Sequence, residues 1–339
     1  MLPTEGAPQE PSPALTPQSP LLSVIMVTPR SIDTCRKTIG YLREQTAREQ
    51  IELIIVAPSR SELGMLPNEL SAFHSWQVVE FGAVRSTGTA TAAGVRAARA
   101  PVVMYGEEHS YPQPDWARVL IDRHQERYAA VGTAMGNANP NTLTSWSHLF
   151  GQFGPVVAPV ASGTTNWLAG HHTSYKRDVL LAYGERLGEM LDNECALHID
   201  LRARGHRLFL AGEAVANHIN ISRVTAYFRL DYLGQRGFAA TRYRAGNWSL
   251  PRRLVYFGAS PLIPLVRLTR IIRDIRRAGR APQLLPRALF IIVPALICGA
   301  VGEAIGYLLG AGKELSAEKL PMELDRHAYL QDGDRVMGG

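Results

Sequence analysis

The chain has 339 residues and a mass of 37.2 kDa, enough for one large domain or two small ones and too much for a disulfide-stapled scaffold. Apolar residues make up 46% and charged residues 19%, which excludes a disordered, collagenous or coiled-coil chain; Cys35, Cys195 and Cys298 are too few and too scattered for a disulfide framework or a CxxC zinc site. The net charge is +6, but eleven arginines between Arg242 and Arg287 face Asp274 alone, a local +10 that leaves −4 on the rest.

Residues 1–20 hold six prolines and no apolar periodicity, and read as a disordered leader without the basic start and apolar run of a secretory signal. LLSVIMVT (21–28) predicts a buried parallel strand, residues 33–49 a helix, and IELIIVA (51–57) a second strand. WQVVEF (76–81) is a third strand, TATAAGVRAARA (89–100) a helix and PVVMYG (101–106) a fourth strand. A helix over 113–126, the strand YAAVGTAMG (128–136), a loop-rich stretch to Gly170, a helix over 187–204 and the strand RLFLA (207–211) follow. This alternation predicts an α/β fold with an open, mostly parallel sheet that binds ligands at the carboxyl ends of its strands.

The C-terminal third has a different pattern. On a helical wheel, residues 265–277 put Leu265, Leu268, Ile271, Ile272 and Ile275 on one face and Arg267, Arg270, Arg273 and Arg277 on the other, a basic amphipathic helix. LVYFGASPLIPLV (254–266) before it is uncharged, as is ALFIIVPALICGAVG (288–302) after it. Fifteen residues fall short of the roughly 20 that cross a bilayer, whereas 288–312 would cross if Glu303 were accommodated, so spanning and interfacial insertion both stay open. Residues 313–339 read as a polar tail.

Chemistry concentrates where PVVMYG runs into Glu107, Glu108 and His109. Two carboxylates and an imidazole at the carboxyl edge of a sheet suit Mg²⁺ or Mn²⁺ bridging a diphosphate; a solvated turn is the alternative for the same residues. The order SVIMVTPR, IELIIVAPS, AAGVRAARAPVVMYGEEH and PQPDWARVL resembles the nucleotide-binding half of glycosyltransferase family 2, which has the GT-A fold. The interval from Gly94 to Glu107, Glu108 and His109 equals the family's interval to its DxD-type triplet, with Glu107 and His109 standing where the family has aspartates. LAGHHTSYKRDVLLAYGE (168–185) resembles the family's acceptor-side segment, and LDNECALHIDLRARGHRLFLAGEAVANH (191–218) its ED-containing helix and following strand. The resemblance covers residues 21–220 and leaves 221–312 as membrane-associated helices.

The resemblance implies an inverting transfer from a nucleotide-sugar donor. Glu194 falls at the general base, with Asp192 in reserve; Thr28, Pro29, Arg30, Ser59, Glu107 and Glu108 would bind the donor. His171 and His172 would meet the acceptor or the diphosphate, and Glu107, His109 and His218 a divalent metal. The basic and apolar helices add an anionic membrane surface, a lipid-linked or membrane-proximal acceptor, and attachment at the cytoplasmic face of the cell membrane, peripheral or single-pass. No nucleic-acid partner is expected, because apolar residues oppose the arginines and no aromatic platform accompanies them. The oligomeric state stays open, and a membrane-anchored binding protein that has lost its chemistry is the alternative function.

Overall fold

The computed structural model describes residues 19–65, 68–312 and 315–335; all but the last two residues of the proline-rich leader lie outside these ranges. The first half alternates as expected: β1 (Leu22–Val27), α1 (Asp33–Arg43), β2 (Ile51–Ala57), β3 (Ser75–Glu80), α2 (Thr87–Ala97) and β4 (Val102–Gly106). It continues through β5 (Ser110–Pro112), α3 (Trp116–His124), β6 (Tyr128–Asn137), α4 (Leu143–Phe153), β7 (Gly163–Thr165), β8 (Thr173–Lys176) and α5 (Arg177–Leu181). Then come α6 (Leu187–Asp192), α7 (Glu194–Ala203), β9 (Arg207–His218), α8 (Val224–Ala245), α9 (Leu250–Ala259), α10 (Ile263–Arg277), α11 (Ala281–Leu284), α12 (Leu289–Leu309) and α13 (Leu315–Leu324).

The strands form one sheet in the order β3-β2-β1-β4-β8-β6-β9-β5, with β7 also on β9. Its long pairings, β1 with β2 and β4, β2 with β3, and β6 with β9, are parallel. The antiparallel pairings of β8, β5 and β7 are three residues long. The fold is therefore α/β with a mostly parallel sheet. β1 is buried on both faces, so its side chains divide by parity: Ile25 and Val27 enter one core with α2, while Val24 and Met26 enter the other with α1 and α3.

Besides the short elements β5, β7, β8 and α5, and α13 in the segment read as a polar tail, three elements differ from the sequence expectation. The helix expected over 187–204 is two helices, because Asn193 leaves helical geometry (φ −136°, ψ 69°) and its side chain accepts a hydrogen bond from Ala196 N at 3.3 Å, capping α7. The loop-rich stretch contains α4, capped by Thr142 and buried through Leu149 and Phe150. β9 runs well past Ala211: a bulge passes Thr133–Ala134 over Gly212–Ala214, and the ladder resumes to pair Asn137 with His218.

The C-terminal helices pack against this body. Ile271 and Ile275 of α10 and Ile292 and Leu296 of α12 lie in the same apolar cluster as Val56 and Leu197. The stripe expected to face lipid is thus split. Its C-terminal half is internal, with Arg277 donating to the carbonyls of Gly154, Val157 and Pro159 at 2.7–3.0 Å, while Leu262, Leu265 and Val266 stay exposed.

Candidate functional site

Sheet register assembles the site. Met26 pairs with Gly106 and Val27 with Val56, so the chain leaves β1, β2 and β4 at one edge, where Thr28, Ser59 and Glu107 follow. Ser110 of β5 pairs with His218 of β9, and Ile219 N donates to His109 O at 2.9 Å, which sets His109 against His218. β8 starts beside β4 with Ser174 opposite Met104, delivering His171 and His172 to the same edge. α7 opens with Glu194.

Glu107 is the centre of this cluster. Its Oε2 lies 2.9 Å from His172 Nε2, 3.4 Å from His218 Nε2 and 3.5 Å from His109 Nε2; its Oε1 lies 3.7 Å from His171 Nδ1. His171 Nδ1 is also 3.5 Å from Glu194 Oε1, so one imidazole bridges the two carboxylates. Tyr105 Oη contacts Glu194 Oε1 and, at 2.8 Å, Gly170 O. Burial opposes charge on Glu107, but His109, His171, His172 and His218 outweigh it and hold its carboxyl well below the usual range. Burial raises Glu194, with His171 and Tyr105 opposing; His171 is raised despite its own burial because Glu194 and Glu107 surround it.

The rings of the buried histidines are fixed from behind. Asn220 Nδ2 donates to Asn137 Oδ1 and to His218 O at 3.0 Å each, so its Oδ1 is the acceptor that meets His218 Nδ1 at 3.0 Å and His148 Nδ1 at 3.2 Å. Both rings then donate from Nδ1 and keep a lone pair on Nε2. Glu108 Oε1 holds His109 Nδ1 at 3.0 Å. Burial, with Glu107, pushes the Glu108 carboxyl up to about 8, and burial draws His109 and His218 down to about 3.

His109 Nε2 and His218 Nε2 are 3.1 Å apart. Separations of 3.1, 3.4 and 3.5 Å among these atoms and Glu107 Oε2 are those of neighbouring ligands around one ion at about 2.1 Å, so the residues fit a divalent metal. Two imidazoles to one carboxylate favour Mn²⁺ or another nitrogen-accepting ion over Mg²⁺.

The other sequence candidates are placed differently. Asp192 accepts from Gly88 N at 2.8 Å and from Ser86 Oγ, holding the start of α2. Thr28 Oγ1 donates to Ser31 O at 2.9 Å, Ser59 Oγ meets Ser61 Oγ at 3.2 Å, and Arg30 is exposed. Together with Pro29 they lie along the sheet edge with no described contact to Glu107. Glu108 faces His109 from behind.

Two cavities of about 410 and 300 Å³ meet the cluster and share His171, Glu194, Lys319 and Glu323. Tyr105, His148, Lys319, Glu323 and Arg326 line or support the site and were not expected from the sequence. Tyr105 precedes the acidic turn and strand parity could have found it; His148 lies on the unpredicted α4, and the last three lie in the segment read as a tail.

No protein-family model and no curated protein sequence matches the chain. Among solved structures, S. aureus TarS 1-349 in complex with UDP superposes with a TM-score of 0.44 at 12% identity, over 84% of this chain and 90% of that one. The mannosyltransferase PcManGT from Pyrobaculum calidifontis, in complex with GDP-Man and Mn²⁺, gives 0.46 at 13% identity over 93% of this chain and 82% of that one. Likeness of this degree carries no chemistry from one chain to another, and function is read from the site.

Proposed function

We propose that the chain is a membrane-associated glycosyltransferase of GT-A type, related to family 2, that moves a sugar with inversion from a nucleotide-sugar to a lipid-linked or membrane-proximal acceptor. The observation that carries this reading is the pairing, across His171, of the Glu107–His109–His218 group with the partly buried carboxylate of Glu194. Glu107, His109 and His218 would hold a divalent ion, which supplies charge neutralisation to a diphosphate. Glu194 takes the proton of an acceptor hydroxyl as its oxygen attacks the anomeric carbon; the bond from that carbon to the phosphate oxygen breaks, and its electron pair leaves with the nucleoside diphosphate. Tyr105 orients Glu194, and His171 offsets the charge of both carboxylates.

The apolar surface supports an interfacial seat. Leu254, Val255, Leu262, Leu265, Val266, Phe290, Ile297, Val301 and Leu309 are exposed on α9 to α12, with Phe290 at 81%. α12 gives its other flank to the core and so cannot be surrounded by lipid, which favours lying in one leaflet over crossing.

The test is turnover of a panel of UDP-, GDP- and dTDP-sugars by wild type and Glu194→Gln. Wild type should release nucleoside diphosphate, and the variant should lose at least about 10²-fold in kcat with donor affinity kept. Equal rates would remove Glu194 as base, and no turnover of any donor would favour the non-catalytic binding protein.

A further inference from the structure

The C-terminal segment closes one wall of the 300 Å³ cavity. α13 is tied to α8 by the Arg229–Glu318 ion pair at 2.9 Å. Beyond it, Ser222 N and Arg223 N donate to Tyr329 O at 3.3 and 3.1 Å, Arg223 Nε to Leu330 O at 3.1 Å, and Gln331 N to Ser222 Oγ at 2.8 Å. Thr142 Oγ1 donates to Asp334 Oδ2 at 2.9 Å, and Leu330 is fully buried. Arg326 is therefore placed by packing on both sides of it in the chain.

Arg326 is only 5% exposed and lines the cavity with Glu107, Glu194 and His218. Among the described residues its Nε and Nη1 have no hydrogen-bond partner. Of the other cationic groups in that lining, Lys319 is committed to Glu323 at 2.6 Å and His171 to Glu107 and Glu194. The Glu107, Glu323 and Glu108 carboxylates attract the Arg326 guanidinium without taking those two donors, and its planar fork matches two oxygens of a phosphate. With Glu107 assigned to the proposed ion and Lys319 offset by Glu323, Arg326 is the cavity's guanidinium with donors to spare for a diphosphate oxygen.

We infer that Arg326 is a phosphate-binding residue whose guanidinium takes oxygens of the donor's diphosphate, and that residues 315–335 form a wall ordered by that contact. The identity of the diphosphate rests on the glycosyl-transfer reading; the anion site does not.

Inorganic pyrophosphate, which needs no knowledge of the base, is the probe for calorimetry on the full chain with and without Mn²⁺. Arg326→Gln should weaken it by about tenfold or more, Arg326→Lys by less, and neither should change affinity for uridine or guanosine. Hydrogen exchange over 315–335 in wild type should slow when pyrophosphate binds, a measurement that decides the matter even if the variant fails to fold. Unchanged affinity in a folded Arg326→Gln, no pyrophosphate binding by wild type, or unaltered exchange on binding would each overturn the inference. If the variant instead loses only retention on polyprenyl-phosphate vesicles, the anion belongs to a lipid and the donor assignment falls. Nucleotide-sugar turnover with Arg326-independent pyrophosphate binding leaves glycosyl transfer standing without this site; Arg326-dependent binding without turnover supports the site and removes the transfer.

Discussion

Gly170 stands where no side chain fits: a Cβ there would collide with the Glu194 carboxylate. Gly170→Ala should displace the proposed base without removing a titratable group, lowering kcat by roughly 10²-fold while calorimetry finds donor affinity unchanged. Glu194 also sets a pH expectation. Burial raises its pKa, so its basic form is lost on acidification earlier than for an ordinary glutamate of about 4.3, and the acid limb of kcat/KM should lie above that value. Tyr105 bonds the carboxylate and lowers that pKa, so Tyr105→Phe should move the limb to higher pH in a pH–rate profile. Away from the site, burial draws His124 and His198 down to about 4. Above the unfolded value of about 6.5 both states are neutral and the two residues contribute nothing to pH dependence; below it the unfolded chain binds the proton first. Stability should fall between about pH 6.5 and 4 by up to about 1.4 kcal/mol per unit for each histidine. The slope of the thermal midpoint against pH should be flatter in His198→Gln.

The C-terminal helices separate two kinds of arginine. Arg277 is bonded to three carbonyls of the domain and belongs to its packing, whereas Arg270, Arg273 and Arg276 are exposed. The exposed ones would be drawn to an anionic leaflet by about 1 kcal/mol each, a contribution that salt screens. Apolar insertion is not screened. Leu262 and Leu265 are 61% and 63% exposed, and burying a leucine is worth about 1.5–3 kcal/mol, so Leu262→Asp with Leu265→Asp should weaken vesicle partitioning by about 10²-fold or more. Vesicle flotation measures this, and the double variant should release the protein where high salt only weakens it. Arg252 lies 4.2 Å over Trp248 and Arg253 4.1 Å over Tyr243. These aromatic faces are covered by the arginines themselves, and such a mixed cluster also suits a headgroup layer.

The proposed metal group draws on distant parts of the chain, His109 and His218 being 109 positions apart. Ligation there should stabilise the folded chain as a whole, by about 2.7 kcal/mol when Mn²⁺ is at a hundred times its Kd. A rise in thermal midpoint with Mn²⁺ in wild type, smaller with Mg²⁺ and lost in His218→Ala, is the expected result of differential scanning calorimetry. Much of this architecture was legible beforehand: β1 to β4 and β6 follow from apolar runs, because which side chains a strand buries is decided by neighbours one or two residues away. Glu107, His109, His171, His172, Glu194 and His218 were nominated from spacing and resemblance, and they converge. Thr28 and Ser59, expected on the same grounds, are engaged elsewhere, and Asp192 lines the 410 Å³ cavity beside Glu194 with its carboxylate bonded to the start of α2, since which atom a polar side chain bonds depends on a partner that local pattern does not specify. The break at Asn193, the bulge that carries β9 on to His218, and the return of Arg326 to the cavity were not legible. Local periodicity is enough to make a strand or a helix, but the meeting of groups a hundred residues apart is set by register, topology and packing.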